Sequence, residues 1–154
     1  MPMLLAAAMS ASESCRQEQS RRLPLYSSRV PAGFPSPAED HLGDTLDLHE
    51  LLVERPAATF FVRGVGDCFV GFGVHDGDIL VVDRSLQPTH GHIVIAVVDG
   101  EMTVKILSRR GGQVRLLAAN PRYPDIVLAE GQQLEVWGVV TALVRQGLAK
   151  GVAR

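Results

Sequence analysis

Cysteine is nearly absent from this chain. Cys15 and Cys68 are the only two in 154 residues, they sit in unlike surroundings, and neither has partners at a metal-ligand spacing. That excludes a disulfide framework and a structural zinc site, and it suits a reducing, cytoplasmic compartment. A large excess of either charge is missing too. The formal net charge is -2, so no basic field advertises nucleic acid or an anionic membrane. Long apolar runs are absent: Met1 to Met9 is mildly apolar, but it lacks a basic start and is too short to span a bilayer. No G-x-G-x-x-G loop stands between a strand and a helix, and no internal repeat, coiled-coil heptad or helix-turn-helix pair is present. The expectation is a protein with no membrane partner, no cofactor, no metal and no direct sequence-specific nucleic-acid partner.

What is present is enough for one core. Hydrophobic residues make up 46% of the chain, suited to a single domain. Residues 1–22, rich in Ala, Ser, Gln and Arg, have no sustained amphipathic period and read as a mobile extension. Residues 23–41 hold Pro24, Pro31, Pro35 and Pro37, which forbid helix and favour extended backbone. Together they predict a flexible N-terminal arm over 1–41, followed by a folded domain over 42–146 and a short tail over 147–154. Within the arm, Ala32-Gly33 is a pair of minimal side chains between Pro31 and Phe34, where a peptide bond can approach a catalytic group closely. A simple linker turn fits the same composition.

The domain reads as mainly β. One short helix is predicted over 47–55, with Asp47 as cap, Glu50 completing a capping box, and Leu48, Leu51 and Leu52 on one apolar face. From Ala58 onward helical periodicity stops. Strands are predicted over 59–63, 78–83, 93–98, 102–107, 113–118 and 134–144, with Asp99-Gly100 as a hairpin turn. The apolar run before Asp83 suits a strand buried on both faces.

The stretch VRGVGDCFVGFGVHDGDILVVD, residues 62–83, holds the chain's one plausible nucleophile, Cys68, in a glycine-rich turn. Lys105 stands alone inside the apolar strand of HGHIVIAVVDGEMTVKIL, with alternation placing it on the face of Thr103 and Leu107. The pattern also fits Lys105 as a solvated residue on the outer face of a hairpin. Cys68 equally fits a small buried hydrophobe. His90-Gly91-His92 and the Asp76, Asp78, Asp83 trio fall at turns and read as turn chemistry rather than metal ligands.

Three segments together resemble the UmuD/LexA-type family of self-cleaving serine–lysine peptidases. PLYSSRVPAGFPSPAEDH is similar to the family's scissile region, DLHELLVERPAATFFVR to its linker helix and following strand, and HGHIVIAVVDGEMTVKIL to the region that carries the general-base lysine. The spacings agree as well, 35 residues from Gly33 to Cys68 and 37 from Cys68 to Lys105. The resemblance covers roughly Leu23 to Val144. It implies a twisted, mostly antiparallel β-domain that forms a homodimer, with Ala32-Gly33 as the cut site, Cys68 in the nucleophile position and Lys105 in the base position. It also implies cleavage stimulated by a RecA–single-stranded DNA filament, after which the trimmed dimer joins an error-prone, UmuC-like Y-family DNA polymerase. The family's Ser-Met, followed two positions on by an acidic residue, reads Cys68-Phe69-Val70-Gly71 here. A cysteine suits the chemistry, since a thiol near pKa 8.5 lies below a lysine near 10.4 and a thiolate–ammonium pair can form. Two readings stay open: a working cysteine–lysine peptidase, or a regulatory dimer of the same fold that has lost cleavage. A truncated repressor module is weaker, because no DNA-reading helix pair fits the arm.

Overall fold

The computed structural model describes residues 21–27, 29–30, 33, 42–67 and 69–147. Ala32 and Cys68 lie outside the described residues, as do Cys15 and most of residues 1–41. The chain divides into two compact units between Leu51 and Leu52.

In the first unit, β1 (Arg22–Tyr26) pairs antiparallel with β2 (Leu42–Asp47). The helix predicted over 47–55 is a single turn, α1 (Leu48–Leu52). Asp47 does cap it, its Oδ1 accepting from the N–H groups of His49 at 2.8 Å and Glu50 at 3.3 Å. The reciprocal half of the capping box is replaced. Glu50 instead accepts from the Arg22 guanidinium at 2.7 Å and so ties α1 to β1. The helix ends early because Val53 is drawn into the interior and Pro56 holds Arg55 extended (φ -128, ψ 84). Leu48 and Leu51, expected on a covered face, are each 59% exposed.

The second unit is an antiparallel seven-stranded sheet, in the order β3 (Thr59–Arg63), β4 (Ile79–Asp83), β9 (Glu135–Val144), β5 (Ile93–Val98), β6 (Glu101–Arg110), β7 (Gln113–Leu117), β8 (Ile126–Val127). The last strand therefore enters the middle of the sheet, between β4 and β5. At β4 and β5 both faces are covered, which is why these two strands are nearly continuous apolar runs. Leu80, Val82 and Ile95 join Phe69 and Val74 in one cluster; Val94, Ala96, Leu107, Leu116 and Val139 form the other. Two tight turns fix the register. Asp99 (φ 50) and Gly100 (φ 81) join β5 to β6, and Gly111 and Gly112, also at positive φ, join β6 to β7. The register of β9 slips by one residue against both its neighbours. Gly138 lies at the second slip, where an added Cβ would stand 2.5 Å from Val82 Cγ1.

Carboxylates clamp both ends of β4. Asp78 is buried and accepts from the Arg145 guanidinium at the end of β9 through both oxygens, at 2.7 and 2.5 Å, and from the His75 N–H at 2.8 Å. The Arg145 hydrogen bonds hold its carboxyl at about 2, against an ordinary 3.8, in spite of burial. Asp83 accepts from Ser85 and from Arg55, and its carboxyl is likewise lowered. Both groups contribute stability that is complete above the ordinary carboxyl range and is lost as pH falls through the lowered folded values. Thermal melts should therefore drop steeply between about pH 4 and pH 2. Arg145→Met should lower Tm at neutral pH and flatten that acid limb; an unchanged limb would show that Asp78 does not drive it.

Candidate active site

Position 68 falls in the loop between β3 and β4. A neck closes that loop, with the Gly64 N–H donating to Asp78 O at 2.8 Å and the Gly77 N–H to Gly64 O at 2.9 Å. Inside it, Asp76 Oδ1 accepts from the Gly66 N–H at 2.8 Å. A 3-10 turn, Val70–Phe72, follows position 68 and ends on Gly73 in the left-handed region (φ 77), where its N–H reaches Val70 O.

The loop is fastened to the segment that leaves β7. Asn120 Nδ2 donates to Asp67 O at 3.0 Å, and the Tyr123 hydroxyl donates to Asp67 Oδ1 at 2.8 Å. Gly71 lies so close to Ala119 that an added Cβ would collide with its carbonyl oxygen. Phe69, 3% exposed, enters the first core cluster, against which Val104 and Ile106 also pack. Those two residues flank Lys105 in β6. The residues on either side of position 68 are thus fixed by the core and by residues 119–123.

Lys105 is buried, at 6% exposure. The solvated-hairpin alternative does not hold, because the face it occupies is covered: Val94 stands across from it on β5, Val139 lies beyond, and Leu107 is on the same face. On the other side the β6–β7 ladder ends at Ile106↔Leu117. Beyond it β7 turns away at Ala118, whose N–H is taken by Asp125 Oδ1 at 2.9 Å. Lys105 therefore sits where the ladder opens, and the segment leaving that opening is the one that fastens the loop of position 68. No carboxylate pairs with Lys105 among the described residues. Its Nζ is therefore not committed to an ion pair there and is available to carry a proton for a neighbouring group.

Gly33 belongs to the first unit, is exposed, and has open space around its Cα. The turn aspartates are individually engaged as described. His90 accepts the Arg109 N–H at 3.1 Å and His92 the Thr89 N–H at 3.2 Å. No cluster of three metal-ligating side chains occurs among the described residues. Asn120 and Tyr123 were not apparent as site residues from sequence: each reaches a residue more than fifty positions away, and only a turn-like Asn-Pro marks their segment.

A family profile described as Peptidase S24-like matches residues 24–141, a span that includes positions 32, 33, 68 and 105. The chain belongs to the S24-like peptidase family. It is 47% identical to Protein SamA of Salmonella typhimurium over 123 residues, 80% of this chain and 85% of that protein. It is 42% identical to Protein MucA of Escherichia coli over 130 residues, covering 84% and 88%. LexA repressor 2 of Pseudomonas syringae is 37% identical over 123 residues, 77% of this chain and 58% of that protein. The resemblance to the UmuD/LexA type is thereby established at the level of the family, and the mainly β, antiparallel architecture agrees with it.

Two substitutions test the site's construction. Gly71→Val should cost about 1–3 kcal/mol in denaturant unfolding and speed amide exchange over 119–123, because the loop is forced off Ala119. Lys105→Met should leave stability unchanged or raise it by up to about 2 kcal/mol, since a buried charge is replaced by an apolar chain of similar length. A large loss would mean that the ammonium holds the fold together.

Proposed function

We propose that this chain is a UmuD-type self-cleaving peptidase of the DNA-damage response, cutting its own Ala32–Gly33 bond with Cys68 as nucleophile and Lys105 as proton carrier. The observation that carries this is the buried Lys105, which pairs with no carboxylate among the described residues, at the opening of the sheet whose departing segment fastens the loop of Cys68. In the reaction, the Cys68 thiolate Sγ bonds to the Ala32 carbonyl carbon, and backbone N–H groups of the turn around Cys68 hold the oxyanion. The C–N bond to Gly33 breaks as the Lys105 ammonium gives its proton to the departing nitrogen. Neutral Lys105 then takes a proton from water, the hydroxide adds to the thioester, and the thiolate leaves. Because the substrate is part of the same chain, the effective molarity can be large enough for this site. A RecA–single-stranded DNA filament stimulates the cut. The trimmed chain acts in the cytoplasm as a homodimeric accessory to an error-prone Y-family polymerase in SOS mutagenesis and translesion synthesis.

A second reading is a regulatory dimer of the same fold without cleavage. It is favoured by the sequence Cys68-Phe69-Val70-Gly71, which departs from the family pattern at the nucleophile, its neighbour and the acidic position. Intact-mass analysis after incubation with RecA, single-stranded DNA and a nucleoside triphosphate separates the two. A product beginning at Gly33, absent in Cys68→Ala and reduced at least about a hundredfold in Lys105→Met, is the expected result. Absence of that product in the unmodified chain, with rescue by Cys68→Ser, would favour the second reading; absence in every version would overturn self-cleavage.

A further inference from the structure

The small net charge of the chain hides a local excess. Arg109, Arg110 and Arg115 crowd the end of the β6–β7 hairpin, and all three are exposed. The register sets Ser108 opposite Arg115 and Arg110 opposite Gln113, so Arg110 and Arg115 are diagonal neighbours on one face. Arg109, opposite Val114, lies on the other face. Among the described residues no carboxylate comes within ion-pair distance of these three, whereas Arg22, Arg55, Arg122 and Arg145 each reach one. Glu130 shares a cavity of about 560 Å³ with Arg109 without pairing to it. The groups that do meet the guanidiniums are not acids. Arg115 donates through Nε and Nη2 to Gln113 Oε1 at 3.0 and 2.7 Å, and Arg110 Nε lies 3.4 Å from His90 Nε2.

Like charges on neighbouring cross-strand positions repel, so this end of the sheet is short of an anion. The turn between the strands is bare. Gly111 and Gly112, at φ 57 and 75, carry no side chain and have open space around them. The hairpin end is therefore a narrow two-stranded ribbon with cations on both faces.

What the ribbon lacks decides the partner. Residues 108–115 include no aromatic side chain and no exposed large apolar one, and the exposed Val127 across from Arg115 on β8 is a small anchor. Protein partners are held chiefly by buried aromatic and aliphatic anchors. Attraction by charge with no such anchor is the chemistry of a phosphate backbone.

We propose that the hairpin end carrying Arg109, Arg110 and Arg115 is a sequence-independent contact for the phosphate backbone of nucleic acid. Arg110 and Arg115 meet phosphates from one face and Arg109 from the other. The contact does not rest on self-cleavage, since residues 109–115 stay with the folded sheet whether or not the bond at 32–33 is cut.

The test is fluorescence anisotropy of the full chain with a labelled single-stranded oligonucleotide of about 30 nucleotides, and with the matching duplex, over about 20–200 mM salt. Three phosphate contacts predict a slope of log affinity against log salt of about -2 for the single strand and about -2.7 for the duplex. The stronger binder of the two identifies which form the ribbon takes. Two unrelated sequences should bind within about twofold of each other. Arg109→Gln, Arg110→Gln and Arg115→Gln should each shrink the single-strand slope by about 0.7, and the triple variant should bind at least about tenfold more weakly at low salt. Arg63→Gln, on β3 at the opposite end of the strand order, should change neither quantity. Thermal melts check that each variant folds. Absence of binding at low salt, or a slope unchanged in the triple variant, would overturn the proposal. Displacement of the oligonucleotide by polyglutamate of equal total charge at equal concentration would give the surface to an acidic protein and also overturn it.

Discussion

A lysine buried on an apolar face of the sheet constrains what surrounds it. Lys105 is the one buried cation among the described residues, and it lies on a strand whose neighbours, Val94 and Leu107, are fully covered. The sheet accommodates it at the one side where the ladder stops, past Ile106↔Leu117, and β7 turns away at Ala118. The same departing segment supplies Ala119, Asn120 and Tyr123 to hold the loop of position 68. Opening, anchor and loop are consequences of one arrangement, because a ladder continued through Lys105 would remove the segment that fastens the loop.

The loop's precision comes from polar ties more than from packing. Asp67 is held through both its carbonyl and its carboxylate, while Phe69 is fixed by burial. In sequence, position 68 follows the hydrogen-bonded Asp67 and precedes the buried Phe69. That matters for any nucleophile, since rate falls steeply with misplacement. It also bears on sulfur, whose longer bond and larger radius need room that a rigid flank must already provide.

The strands were legible in the sequence because their apolar runs are nearly continuous and their turns carry Asp-Gly and Gly-Gly at positive φ. Thr59–Arg63 and Ile93–Val98 match at both ends. The insertion of β9 between β4 and β5 left no local mark, since register and order are decided by which faces need cover. The helix was overextended because Leu48 and Leu51 have helical spacing without a core to meet. Lys105 was singled out by its isolation in an apolar strand, and its burial is the feature alternation could not supply: alternation assigns a face, not whether that face is covered. The ties of Asp67 to Asn120 and Tyr123 join loops distant in sequence, where no periodicity operates. Family membership was legible in the motifs and their spacing, and the comparisons agree.

The central claim is that Lys105 and Cys68 act as a pair, and the most direct measurement is the pH dependence of Cys68 alkylation in a Cys15→Ser chain, with and without Lys105→Met. A paired thiol should react as thiolate well below the ordinary thiol value of about 8.5, and the profile should move up when the ammonium is removed. Identical profiles in the two proteins would mean that the lysine and the cysteine do not share a proton, and would contradict the account.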